Sequence, residues 1–200
     1  MSGFIERHGL WCEAQRGAAA EIAGRAAELG VVRLSFADQH GLLRGKTIVA
    51  AELENALRNG CTAPSSLLAK DTSHRTVFPV FSRGGGFAMP EMEGAADLVL
   101  VPDPLTFKVL PWAPHTGWLL CEAHFGNGRP APFDTRRLCR KVLDKLNRRG
   151  FDYIAGLEVE CHIFRLEDPR LAAADAGQPG TPPAVGLLTQ GYQLLAEERS

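Results

Sequence analysis

The period of the chain changes at Gly30, and that change constrains the fold more than any other feature. Upstream, Ala18, Ile22, Ala26 and Leu29 recur at helical spacing within the alanine-rich stretch from Glu13 to Leu29, and Gly30 stops it. Downstream, Val32, Leu34 and Phe36 alternate with Arg33 and Ser35, the period of a strand with one buried face. The turn-rich Asp38-Gln39-His40-Gly41 reverses the chain, Lys46 to Val49 returns as a second strand, and Ala51 to Asn59 reads as a short helix closed by Gly60. A hairpin followed by a helix that covers one sheet face predicts an α+β fold.

Beyond this unit the signals vary in strength. Residues 61–96 show no steady period and contain the flexible Ser82-Arg83-Gly84-Gly85-Gly86, so a long functional loop with short strands is expected there. Leu98 to Val101 is a continuous apolar run ended by Pro102 and Pro104. Phe107 to Leu110 and Trp118 to Cys121 read as further strands. Asp134 opens the clearest helix as an N-cap, Leu138, Cys139, Val142, Leu143 and Leu146 form one apolar stripe, and Gly150 ends it. Phe151 to Phe164 looks like one or two strands, and residues 167–186 like a linker rich in glycine and proline.

The polar side of that last helix carries Arg136, Arg137, Arg140, Lys141, Lys145, Arg148 and Arg149 against Asp134 and Asp144, a surplus of five positive charges. No aromatic residues interleave them as a base-stacking surface would need, which favours a solvated face or a subunit contact over nucleic acid. The whole chain has a formal net charge of -1, so nothing global steers it toward nucleic acid or a membrane. Its five cysteines are scattered and never spaced C-x-x-C, which argues against a zinc ribbon or a disulfide scaffold. Met1 to Leu10 lacks the layout of a signal peptide and no apolar run approaches spanning length, so the expected address is cytoplasmic.

Chemistry concentrates in Gly156-Leu157-Glu158-Val159-Glu160-Cys161-His162-Ile163-Phe164. On a strand, Glu158, Glu160 and His162 share one face, and successive carboxylates sit about 7 Å apart. Such a pair repels unless a cation lies between, and hard divalent ions such as Mg2+ or Mn2+ prefer carboxylate oxygen. A merely hydrated strand side is the competing reading. His162 would complete a metal set, or it packs at a strand end with one ring nitrogen bonded. Lys70-Asp71-Thr72-Ser73-His74-Arg75 gathers acid, hydroxyl and base in a loop, but no spacing there implies a triad, which favours a hydrogen-bonded turn. Gly84 to Gly86 lacks the GK[ST] of a P-loop.

Three segments, in order, resemble the glutamine synthetase family. Val32 through Lys46 looks like the opening of that family's β-grasp domain. Asp97-Leu98-Val99-Leu100-Val101-Pro102-Asp103-Pro104-Leu105-Thr106, followed by Leu110-Pro111-Trp112-Ala113, is similar to its P-D-x-x-T and P-W elements. The helix from Asp134, leading to Gly156-Leu157-Glu158-Val159-Glu160, looks like the first helix and first metal-binding strand of the catalytic domain. The resemblance implies an N-terminal helical segment over 1–29, a β-grasp domain over 30–125 and the beginning of a catalytic domain over 131–200.

It also implies an enzyme that phosphorylates the γ-carboxylate of glutamate with ATP and lets ammonia or another amine displace the phosphate. Glu158 and Glu160 match the strand that supplies ligands to two of the family's Mg2+ or Mn2+ ions, whereas position 162 there is usually aromatic. Family members assemble as stacked rings in which the β-grasp domain completes a neighbour's site, so a homo-oligomer is expected. The family's D-G-S-S loop, whose aspartate helps bind ammonium, is absent as such; Asp71-Thr72-Ser73 is the nearest match. Asp71 therefore carries the amine-binding expectation, and the changed loop puts polyamines or other amines in play. The family continues well past residue 200 with its ATP- and glutamate-binding residues, so this chain alone is expected to be an inactive fragment. A non-catalytic β-grasp module that binds full-length subunits is the alternative.

Overall fold

A computed structural model describes residues 2–72, 75–158, 163–167 and 185–189. Strand β1, Val31–Ala37, pairs antiparallel with β2, Leu43–Val49, from Val31 opposite Val49 to Ala37 opposite Leu43. The hairpin expected from the period change is therefore present, with Val32, Leu34 and Phe36 buried as the alternation requires. Gly45 in β2 sits where a Cβ would run into the Leu34 carbonyl across the ladder, so the close approach of the two strands depends on a missing side chain.

Four further strands extend this hairpin into one sheet in the order β2-β1-β6-β4-β3, with β5 beside β6. These are β3, Cys61–Pro64, β4, Asp97–Pro102, and β6, Thr116–Phe125, with the short β5, Lys108–Val109, paired to β6. Strand β6 lies parallel to β1, from Val31 opposite Thr116 to Ser35 opposite Leu120, and antiparallel to β4. Its length follows from its two neighbours in turn: β1 runs along Thr116–Leu120 and β4 along Cys121–Phe125, so each half has a strand to take its backbone groups.

Two helices cover one face. Helix α2, Glu13–Gly24, continues in a 3-10 turn over Ala26–Glu28, close to the expected end at Leu29. Helix α3, Leu53–Asn59, ends on Gly60, whose positive φ of 72° and crowding by Val99 and the Leu100 carbonyl both call for glycine. Leu53, Ala56 and Leu57 of α3 join Ala19 and Ile22 of α2, Val32, Leu34 and Phe36 of β1, Leu98 and Leu100 of β4, and Leu119, Cys121 and Ala123 of β6 in one apolar cluster. Each large side chain buried there contributes about 1.5–3 kcal/mol. A four-residue helix, α1, Phe4–Arg7, buries Phe4 and Ile5 against Val101 in a smaller cluster; its two apolar residues are too few to show a period in sequence. The Trp11 indole donates to the Pro102 carbonyl at 2.8 Å and fastens this N-terminal segment to β4.

The described residues of 61–96 hold β3 and three 3-10 turns, in line with a loop carrying short elements. Helix α4 spans Thr135–Asn147, with Asp134 at its N-cap as expected, but its apolar stripe is only partly covered, Leu143 and Leu146 being half-buried. No residue of α4 is buried, and Leu138 and Val142 of the apolar stripe are 56% and 58% exposed. Residues 151–158 form no regular structure and lie exposed, rather than in a strand; Leu157 is 91% exposed. A strand exists only where a neighbour takes its N–H and C=O groups, and none lies alongside this stretch among the described residues. Pairing resumes at β7, Ile163–Leu166, which is antiparallel to β8, Val185–Thr189. Most of the expected 167–186 linker lies outside the described residues. Among those described, no helix is long and apolar enough to cross a membrane.

Candidate active site

The hairpin turn between β1 and β2 is built around a buried carboxylate. Asp38 Oδ1 accepts from the amides of His40 at 2.9 Å and Leu42 at 3.0 Å, an Asx-type turn, and Oδ2 accepts from Arg44 Nε at 2.5 Å. Burial pushes the Asp38 carboxyl up, but the Arg44 guanidinium and these amides outweigh it and hold the group below its ordinary value. The rigid turn presents Gln39 and His40 to the loop that follows β3. Gln39 Nε2 donates to the carbonyls of Leu68 and Lys70, each at 3.0 Å, and His40 Nε2 lies 3.1 Å from the same Lys70 carbonyl.

Asp71 is the next residue. Its amide donates to the Arg75 carbonyl at 2.9 Å, and the Arg75 amide donates back to Asp71 Oδ1 at 2.9 Å. The hydrogen-bonded turn read from sequence is thus formed, and Oδ1 is engaged. Among the described residues nothing donates to Oδ2, which leaves one oxygen of a half-buried carboxylate open to a further donor. Ser73 and His74 lie outside the described residues.

A second carboxylate centre joins α4 to the sheet. Asp103, just past β4, is buried and accepts from Gln15 Nε2 at 2.9 Å, Arg136 Nη2 at 2.6 Å and Arg140 Nη2 at 2.8 Å. The same two arginines reach Glu122 Oε1, in the middle of β6, at 3.5 and 2.7 Å. Part of the cationic face of α4 thus neutralises two carboxylates of its own chain, while Lys141, Lys145, Arg148 and Arg149 are exposed as a solvated face requires. Burial pushes Asp103 up, yet Gln15 and the two guanidinium groups hold it below its ordinary value. Glu122 goes the other way, raised by burial beyond what Arg140 restores, with Asp134 adding repulsion. Asp103 is the better-served partner, since both guanidinium groups approach it within 2.8 Å. Sequence alone held a signal for this cluster: Glu122 interrupts an apolar strand, and a carboxylate there needs a cation.

Asp134 ties the helix start to the same strand. Its Oδ1 accepts from the Arg137 amide at 2.9 Å and its Oδ2 from the Ala123 amide at 2.6 Å. Thr135 Oγ1 donates toward the carbonyls of Ala37 and Asp38, both at 3.4 Å, and so links the helix to the hairpin turn.

Glu158 is the last described residue before the 159–162 stretch. It is exposed, and no hydrogen bond or ion pair engages it among the described residues. Glu160 and His162 lie outside them. A free carboxylate suits a hard divalent cation in kind. Among the described residues, however, no three of His, Cys, Asp and Glu gather closely enough to hold a metal ion. The described part of the chain thus supplies one donor of the right chemistry, not a ligand set. Among the described residues, no hydrogen bond or ion pair links Glu158 to Asp71.

No family model matches the chain. It is 37% identical over 202 residues to gamma-glutamylanilide synthase of Acinetobacter sp, covering 97% of this chain and 40% of that protein. It is 31% identical over 161 residues to gamma-glutamylethanolamide synthetase of Streptomyces coelicolor, covering 80% of this chain and 33% of the relative. Against glutamine synthetase of Methanosarcina mazei it is 28% identical over 152 residues, 73% of this chain and 30% of the relative. The chain thus spans 40% or less of the length of these curated relatives. A solved structure described as a GmaS/ADP complex overlays 66% of this chain and 26% of its own, at 26% identity and a TM-score of 0.48, an overlap too loose to add to the sequence likeness.

Proposed function

This chain belongs to the glutamine synthetase family of glutamate–ammonia ligases, and from that premise we propose that the polypeptide carrying it joins an organic amine to the γ-carboxylate of glutamate with ATP. The observation that carries this reading is the 37% identity with a gamma-glutamylanilide synthase across 97% of the chain. Two further relatives named for amine products or substrates, a gamma-glutamylethanolamide synthetase and a glutamate–methylamine ligase, support an amine over ammonia. So does the loop at Asp71, which departs from the family's ammonium-binding sequence.

In the proposed reaction a γ-carboxylate oxygen attacks the terminal phosphorus of ATP, ADP leaves, and the amine nitrogen displaces phosphate from γ-glutamyl phosphate. Asp71 Oδ2 accepts a hydrogen bond from the incoming amine and favours its location beside the acyl phosphate. Glu158 with Glu160 would hold Mg2+ or Mn2+, which when bound offsets charge building on the transferred phosphoryl group. The parallel pairing of β1 with β6, flanked by the β1–β2 hairpin and α3, supports the β-grasp reading of residues 30–125. Residues 1–29 then form its helical lead-in, and 131–200 the beginning of the catalytic domain. By the same family logic the working form is a cytoplasmic homo-oligomer of stacked rings.

The test is a panel assay on the full polypeptide with glutamate, ATP and, in turn, aniline, ethanolamine, methylamine and ammonium. Phosphate release coupled to the matching γ-glutamylamide, with at least one organic amine above ammonium in kcat/KM, is expected. A clear preference for ammonium would overturn the amine assignment.

A further inference from the structure

We propose that Gln39 is a positioning residue for the amine site: it fixes the backbone from which Asp71 projects. The inference rests on the reading of Asp71 as the amine contact. Its own ground is a chain of hydrogen bonds that runs from a buried anchor to an exposed loop. Asp38 is fully buried and held by Arg44 Nε and two amides, so the β1–β2 turn has one defined conformation. Thr135 of α4 adds contacts to the Ala37 and Asp38 carbonyls from the other side. Gln39 extends from this fixed turn and spends both amide protons on the carbonyls of Leu68 and Lys70. His40 Nε2 reaches the Lys70 carbonyl as a second donor.

The peptide that carries the Lys70 carbonyl also carries the Asp71 amide. Orienting that plane therefore sets the direction in which the Asp71 side chain leaves the backbone. Downstream, the loop is held by its own turn between Asp71 and Arg75 and by the Val77 amide donating to the Ala69 carbonyl at 2.9 Å. Those bonds close the loop on itself, whereas the Gln39 and His40 bonds join it to the rigid hairpin 29 to 31 positions away in sequence. Leu68 and Ala69 are buried and hold the chain as far as residue 69; beyond them, without the Gln39 and His40 bonds, the Lys70–Asp71 peptide loses its fixed orientation relative to the sheet. Gln39 and His40 are both exposed, so neither is required by the core. A residue that is exposed and spends its side chain on two backbone carbonyls has geometry as its contribution.

The experiment uses the full polypeptide and three variants. Gln39→Glu keeps the shape of the side chain, removes both donors and sets carboxylate oxygens against the two carbonyls. Gln39→Lys restores donors at the same place. Asp71→Asn tests the reading beneath. Loss of two neutral hydrogen bonds predicts a rise of about tenfold in the amine KM for Gln39→Glu. The KM values for glutamate and ATP are expected to stay within about twofold, with kcat largely kept at saturating amine. Gln39→Lys is expected to recover most of the effect, and amide hydrogen exchange over residues 65–72 is expected to quicken in Gln39→Glu alone. If Asp71→Asn raises the amine KM while Gln39→Glu leaves both it and the exchange unchanged, the positioning role is wrong. An unchanged amine KM in Asp71→Asn removes the reading of Asp71, and the inference falls with it. Equal rises in all three KM values for Gln39→Glu would mark a general loss of structure and also overturn it.

Discussion

Replacing Asp103 by asparagine tests how α4 is held to the sheet. The helix fully buries no residue of its own, and of its apolar stripe only Leu143 and Leu146 are half-buried, so hydrophobic packing alone does not account for its place. What fastens it is Asp103, with guanidinium nitrogens at 2.6 and 2.8 Å, together with Glu122 and the Asp134 cap. Asparagine keeps the volume and can still accept from Gln15, but it turns an NH2 group toward two guanidinium groups. Two charge-assisted bonds of about 1.5–3 kcal/mol each are lost. Part is recovered, because both arginines still reach Glu122 and Arg140 is 42% exposed and can rehydrate. The net cost expected is about 2–4 kcal/mol, read by urea unfolding at pH 7.

The pH dependence fixes the cause. Asp103 titrates below its unfolded value of about 3.9, so its stabilisation is present above that pH and is lost as pH falls through the folded value. The gap between the native protein and Asp103→Asn should accordingly close in acid. Glu122, with a raised folded value, contributes in the opposite sense: its term is present below its unfolded value and is lost as pH rises through the folded one. A cost below about 1 kcal/mol at neutral pH, or a gap that persists unchanged at pH 3, would refute the account.

Three other outcomes follow from the same structure. Asp134→Ala removes a helix cap and the acceptor of a buried β6 amide at once, so a loss of about 2–3 kcal/mol is expected in the same unfolding assay, and a loss near zero would show that α4 does not depend on its cap. Gly45→Ala places a methyl group against the Leu34 carbonyl and should destabilise by about 1–3 kcal/mol, lowering the melting temperature; an unchanged melt would mean that β1 and β2 are less closely paired than described. Thiol labelling of the folded protein should modify the exposed Cys12 and Cys139 and spare Cys121, whose thiol burial pushes far up; early labelling of Cys121 would contradict its place in the core.

The strands of the N-terminal sheet were legible because burial on one face writes a period into the sequence, as Val32, Leu34 and Phe36 do. Caps were legible too: Asp134 and Gly60 have local chemistry that states their role. Pairing was not. Nothing in Thr116 to Phe125 says that β6 runs parallel to β1, since that depends on contacts some 85 positions apart. The apolar stripe of α4 did not say how the helix is held: Arg136 and Arg140 turn to Asp103 and Glu122, while Leu138 and Val142 stay exposed. For the site, the Asp71 turn was readable from residue types. The Gln39 link was not, because a glutamine reaching two carbonyls 29 and 31 positions ahead leaves no spacing rule behind. Of the stretch 151–164, expected as one or two strands, residues 151–158 show the limit of sequence pattern: it states which faces a strand would have, not which neighbour is there to pair with it.

The central claim is that an amine replaces phosphate on an activated glutamate. The most direct measurement supplies glutamate labelled with 18O in its γ-carboxylate, together with ATP and the preferred amine, to the full polypeptide. The account predicts one labelled oxygen in each phosphate released, because the carboxylate oxygen that attacks phosphorus leaves with it when the amine enters. Phosphate free of label, alongside formation of the γ-glutamylamide, would contradict it.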